Sequence, residues 1–147
     1  TVYRTAMIKA GYVQADTKDT GIRRELNFGH TIGHALERAS GFELLCAFDA
    51  SPELIGRSFG GYEVRDAKEL ERYIDELHPD VAVLTIPRGN APVIARSLVE
   101  RGIRGLWNFT GEDLHLEGLG VPVENVHLSD SLMTLCQLVG MAEENED

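Results

Sequence analysis

The sequence predicts an α/β fold built on a parallel sheet, and three observations carry that prediction. Short runs such as Leu44-Leu45-Cys46-Ala47-Phe48 and Val81-Ala82-Val83-Leu84-Thr85-Ile86 are apolar at nearly every position. Strands covered on both faces read this way. Stretches of helical periodicity separate these runs, so strands and helices alternate. An acid, Asp49, directly follows one apolar run. Doubly wound sheets hold their ligands beyond the carboxyl ends of their strands.

The elements follow in order. Residues 2–15 place Val2, Ala6, Met7, Ala10 and Val13 at helical spacing, interrupted by Gly11, and read as helical. Residues 16–26 are polar, with Gly21 and three basic residues, and read as a loop. Residues 27–39 read as a helix capped by Asn27 and stopped by Ser40-Gly41. From residue 42 the style changes. Strands are expected at 44–48, 81–86, 106–109 and 121–126, with Tyr62-Glu63-Val64 as an edge strand. Helices are expected over 67–77, 90–101 and 129–140. The acidic end of the chain reads as disordered. The expected organisation is a helical segment over 1–41, an incomplete Rossmann-like sheet with flanking helices over 42–141, and a disordered acidic tail over 142–147.

At 147 residues, the chain is long enough for one ordinary core. No apolar run approaches the roughly 18 residues of a membrane span, and no signal peptide pattern is present. A start at Thr1 rather than Met points to a fragment, a processed chain or a trimmed one. The net charge is −10, which disfavours direct contact with nucleic acid. Residues 1–41 hold six Lys/Arg against four Asp/Glu, whereas the remainder holds eight against twenty. Cys46 and Cys136 sit in apolar runs without a CxxC and read as buried free thiols of a reducing, cytoplasmic setting.

Two places could carry chemistry. An acid at the end of a second strand commonly accepts the ribose hydroxyls of a dinucleotide. By spacing alone, Asp49 reads more simply as the start of a turn or the cap of a helix at Ser51-Pro52. His30 and His34 lie four apart and share a helix face, a spacing that can serve one metal, and Glu37 could orient an imidazole. Arg23 and Arg24 precede that helix, whose amino end attracts phosphate. By spacing alone, these are more simply exposed histidines, a basic turn and a cap. A metal catalyst needs three protein ligands, and this run supplies two at most.

The segment Ala47-Phe48-Asp49-Ala50-Ser51-Pro52-Glu53-Leu54-Ile55-Gly56 resembles the second-strand region of the Rex family of redox-sensing transcriptional repressors. Leu84-Thr85-Ile86-Pro87, Leu106-Trp107-Asn108-Phe109 and Val123-Glu124-Asn125-Val126-His127-Leu128 extend the resemblance to about residues 42–140. It implies an NAD(H)-binding Rossmann domain, here without the family's DNA-binding domain, that works as a homodimer through its last helix. Asp49 would take the adenosine ribose. Thr85, Ile86 and Pro87 would line the cleft, and Asn108 and Phe109 would lie on the nicotinamide side. The family's first strand and Gly-rich loop are not recognisable.

Residues 6–41 resemble 3-dehydroquinate synthase, through Lys9-Ala10, Asp16, Gly21, Arg23 and Asn27-Phe28-Gly29-His30-Thr31-Ile32-Gly33-His34. That resemblance implies His30 as a ligand to zinc or cobalt, with Lys9, Arg23, Asn27 and His34 contacting substrate or its phosphate. The family's remaining ligands have no counterpart here, so no synthase activity is expected. Two families meeting near residues 34–42 give the chain the look of a chimera.

Overall fold

The computed structural model describes residues 2–9, 35–36, 38–39, 41–59 and 62–144. Among the described residues, seven strands form one sheet: β1 (Tyr3–Lys9), β2 (Phe42–Asp49), β3 (Ser58–Phe59), β4 (Tyr62–Asp66), β5 (Val81–Thr85), β6 (Gly105–Asn108) and β7 (Val123–Asn125). Their spatial order is β3-β4-β2-β1-β5-β6-β7. All pairings are parallel except the short antiparallel contact of β3 with β4. Without that edge hairpin, the parallel strands run in the order of the doubly wound Rossmann sheet, third-second-first-fourth-fifth-sixth.

The α/β parallel fold expected from the apolar runs is therefore present. The helical reading of residues 2–15 is corrected over Tyr3–Lys9, which form the central strand of the sheet. β1 pairs with β2 on one side (Met7 opposite Ala47, Ile8 opposite Phe48) and with β5 on the other (Ala6 opposite Ala82, Lys9 opposite Thr85). The first strand missing from the Rex-like pattern is thus supplied from before residue 42. The change of sequence character at that point is not an edge of the sheet.

Side-chain alternation sorts the core onto two faces. Ala6, Ile8, Cys46, Phe48, Ala82 and Leu84 face one way. They pack with Leu70 and Ile74 of helix α1 (Leu70–Leu77) and with Ala91, Ala95 and Leu98 of helix α2 (Ala91–Glu100). Met7, Ala47, Val64 and Val83 face the other way, against Leu36, Leu44 and Leu54. Ala35, Leu36 and Arg38 are helical, as expected for 27–39, and the rest of that helix reading lies outside the described residues.

Helix α3 spans Leu128–Glu144, so the disordered-tail expectation is corrected over residues 142–144; residues 145–147 lie outside the described set. Every described residue of α3 from 130 to 139 is exposed. No described helix is long and apolar enough to cross a membrane.

Candidate dinucleotide cleft at the carboxyl edge of the sheet

Each of the six parallel strands ends on a polar residue: Asp66 (β4), Asp49 (β2), Lys9 (β1), Thr85 (β5), Asn108 (β6) and Asn125 (β7). Neighbours in this row lie in register, Asp49 opposite Asp66, Lys9 opposite Thr85 and Asn108 opposite Asn125. Apolar residues fill the strands, so polar side chains gather where the chain leaves the core. The chain order reverses between β1 and β5, which puts the switch-point crevice at Lys9 and Thr85.

Asp49 is 1% exposed. Its Oδ1 accepts the Ser51 N–H at 2.8 Å, an Asx-type turn that holds the carboxylate at the strand end. The turn reading from spacing is therefore present, and the backbone of the turn fixes the carboxylate at the strand end. Lys9 is also buried, at the end of the central strand. Thr85 donates its hydroxyl to the Ile8 carbonyl at 3.3 Å and ties β5 to β1 at the crevice. Ile86 is buried and Pro87 half-buried. Pro87 leads into a 3-10 turn, Arg88–Asn90, that opens α2.

Asn108 stands at the carboxyl end of β6. It is 1% exposed, and its side-chain amide is engaged on both sides. Nδ2 donates to the Glu112 carbonyl and to Asn125 Oδ1, each at 2.8 Å. Oδ1 accepts from the Thr110 N–H at 3.0 Å and the Thr110 hydroxyl at 2.6 Å. It braces the loop after β6 instead of offering free donors to a ligand. Phe109 follows, its N–H on the Leu84 carbonyl at 3.0 Å and its ring 4.7 Å from that of Trp107.

The structure thus brings Lys9, Asp49, Thr85, Ile86, Pro87, Asn108 and Phe109 to one edge of the sheet. Arg23, Asn27, His30 and His34 lie outside the described residues. Among the described residues, Asp113, His115 and Glu117 bring ligand atoms within 4.8 Å of one another, all three exposed. Exposed acidic groups cluster this way without an ion, and nothing else there points to a metal. Sequence reasoning passed over Asp66 and Asn125. The strands read from sequence end at Val64 and Val126, so the strand-end rule that singled out Asp49 points to neither.

The expectation of two buried thiols is half corrected: Cys46 is buried and Cys136 exposed. Burial raises the Cys46 thiol from its ordinary 9.0 to about 11, with the charge of Arg65 pulling weakly the other way. Cys46 is therefore an inert core thiol.

Comparison with known proteins agrees with this architecture. The 3-dehydroquinate synthase C-terminal family matches residues 1–47. The CoA binding domain family matches residues 27–111, more than half of the chain. The chain belongs to the CoA-binding-domain family. Within this CoA-binding-domain fold, the similar curated proteins are redox-sensing transcriptional repressors named Rex. The one from Clostridium beijerinckii is 38% identical over 130 residues, covering 85% of this chain and 61% of its own length. RSP, a Rex-family repressor, was crystallised with β-NADH. That structure is 35% identical, covers 99% of this chain and 63% of its own, and has a TM-score of 0.77. RSP with β-NAD+ and operator DNA is also 35% identical, with a TM-score of 0.76, 99% of this chain covered and 60% of the other. The chain spans about three fifths of the length of these relatives.

Proposed function

We propose that this chain is the NAD(H)-binding, Rossmann-like module of a Rex-type redox-sensing repressor. The observation that carries this reading is Asp49, buried and held by a backbone N–H at the end of the second strand, beside the switch point of a doubly wound sheet. The likeness to RSP with β-NADH supports it. When bound, the cofactor supplies a nicotinamide ring whose two redox states differ by a hydride. The chain's own groups bind and orient: Asp49 accepts the adenosine ribose hydroxyls, Thr85, Ile86 and Pro87 line the crevice, and Phe109 borders the nicotinamide side. Asn108 acts there by bracing the loop that presents Phe109. The function is sensing rather than lyase chemistry, so Lys9, Arg23, Asn27, His30 and His34 keep the mark of a second family without its reaction, and no zinc or cobalt is required. We read residues 1–41 as a joined segment that now serves the sheet.

α3 supports a homodimer. Leu132, Met133, Leu135, Leu138, Val139 and Met141 are each more than half exposed. A helix with this much bare apolar surface gains by burying it against a second copy. The net charge of −10 argues that this segment does not itself hold nucleic acid. A cytoplasmic location belongs to the same proposal.

The test uses Trp107, the single tryptophan of the chain, which sits on the strand beside the cleft. Its emission overlaps NADH absorption, so binding appears as energy transfer on titration. The expected result is saturable transfer that Asp49→Ala weakens about tenfold, through loss of hydrogen bonds to a charged acceptor. Absence of saturation at millimolar NADH would sink the reading.

A further inference from the structure

We infer that Arg88, whose guanidinium lies against Gly111, is a positioning residue for the nicotinamide end of the cleft. The inference rests on the dinucleotide reading above. Arg88 opens the 3-10 turn directly after Pro87, on the loop that follows β5. Gly111 lies on the loop that follows β6, two residues beyond Phe109. A Cβ on Gly111 would meet Arg88 Nη2 at 3.0 Å, with Cζ and Nε at 3.6 Å. The guanidinium therefore rests on the bare face of the glycine. Gly111 also has φ +70°, a conformation that favours glycine in its own right.

The β6 loop starts from a bond between the Phe109 N–H and the Leu84 carbonyl of β5, at 3.0 Å. The β6 loop is held from within by the Asn108 amide, through Thr110 and Glu112. Among the described residues, no carboxylate pairs with Arg88. Its side chain is exposed, with the guanidinium against Gly111. The contact clasps the loop that carries Thr85, Ile86 and Pro87 to the loop that carries Phe109. Loops at ligand edges are ordinarily among the less stable parts of a fold. A clasp that fixes their spacing before binding reduces the ordering cost of binding. The effect should be confined to the half of the ligand that lies between these two loops.

The experiment compares the wild-type chain, Arg88→Ala, Gly111→Asn and the double variant. Asn tolerates positive φ, so Gly111→Asn displaces the guanidinium with little backbone strain. NADH is titrated through Trp107 energy transfer, and ADP-ribose, which lacks the nicotinamide, by calorimetry. Each single variant should raise the NADH Kd about fivefold to tenfold, and the double variant should be no worse than either single one. ADP-ribose should bind all four proteins alike. Additive losses in the double variant, or equal losses for ADP-ribose, overturn the clasp while leaving the dinucleotide reading standing. No saturable binding of either ligand by the wild-type chain overturns both.

Discussion

Cys46 lies on β2 opposite Ala6 of β1, under the α1–α2 layer, where desolvation holds its thiol protonated to about pH 11. Because the folded pKa is raised above the ordinary 9.0, the thiol's contribution to stability is fully present below pH 9 and is lost as pH rises through about 11. In that window the unfolded chain releases a proton that the folded chain keeps. A shift of this size corresponds to about 2–3 kcal/mol. Urea unfolding between pH 8 and 11 should therefore show a decline that Cys46→Ala makes shallower; an unchanged slope would refute the buried-thiol assignment. A thiol reagent should label Cys136 rapidly in the native protein and Cys46 only after denaturation. Both cysteines stand in apolar runs, so the sequence could not separate them. One run is a core strand and the other an exposed helix.

At the scale of elements, α3 holds the clearest unresolved energy. An isolated helix of 17 residues is marginal in water without a packed face. Here the apolar residues project from a helix whose described middle touches solvent throughout. Replacing Leu135 and Leu138 with glutamate should shift the chain to a monomer in analytical ultracentrifugation without unfolding the sheet. A wild type that sediments as a monomer at micromolar concentration would remove the dimer proposal. The apolar spacing over 129–140 was legible in sequence. Whether it met the core or a partner was not, because both demand the same periodicity.

For the whole molecule, β1 is decisive. It contributes Ala6 and Ile8 to one core layer and Met7 to the other, and it joins the two halves of the sheet. Ile8→Ala should cost about 2–5 kcal/mol in chemical denaturation, the range for truncating a fully buried aliphatic side chain. A cost below 1 kcal/mol would be incompatible with a central strand at Tyr3–Lys9. This strand escaped the sequence reading for a physical reason. Its apolar run, Ala6-Met7-Ile8, is only three residues long and is bracketed by Thr5 and Lys9, which are also buried. Runs of four or more are needed before burial shows as a strand pattern, and the spacing of Val2, Ala6, Met7, Ala10 and Val13 happens to match a helix.

The sequence by itself determined the α/β class, the positions of β2, β5, β6, α1 and α2, and the place of Asp49 at a strand end. Strands buried on both faces and amphipathic helices write their environment directly into residue order. Only the tertiary structure decided that Tyr3–Lys9 is a strand, that Asn108 braces a loop, that α3 stands exposed and that Arg88 rests on Gly111. Several of these depend on which distant segments become neighbours: β2 and β5 for β1, Asn125 for Asn108, the β5 loop for Gly111. Local periodicity carries no record of such partners.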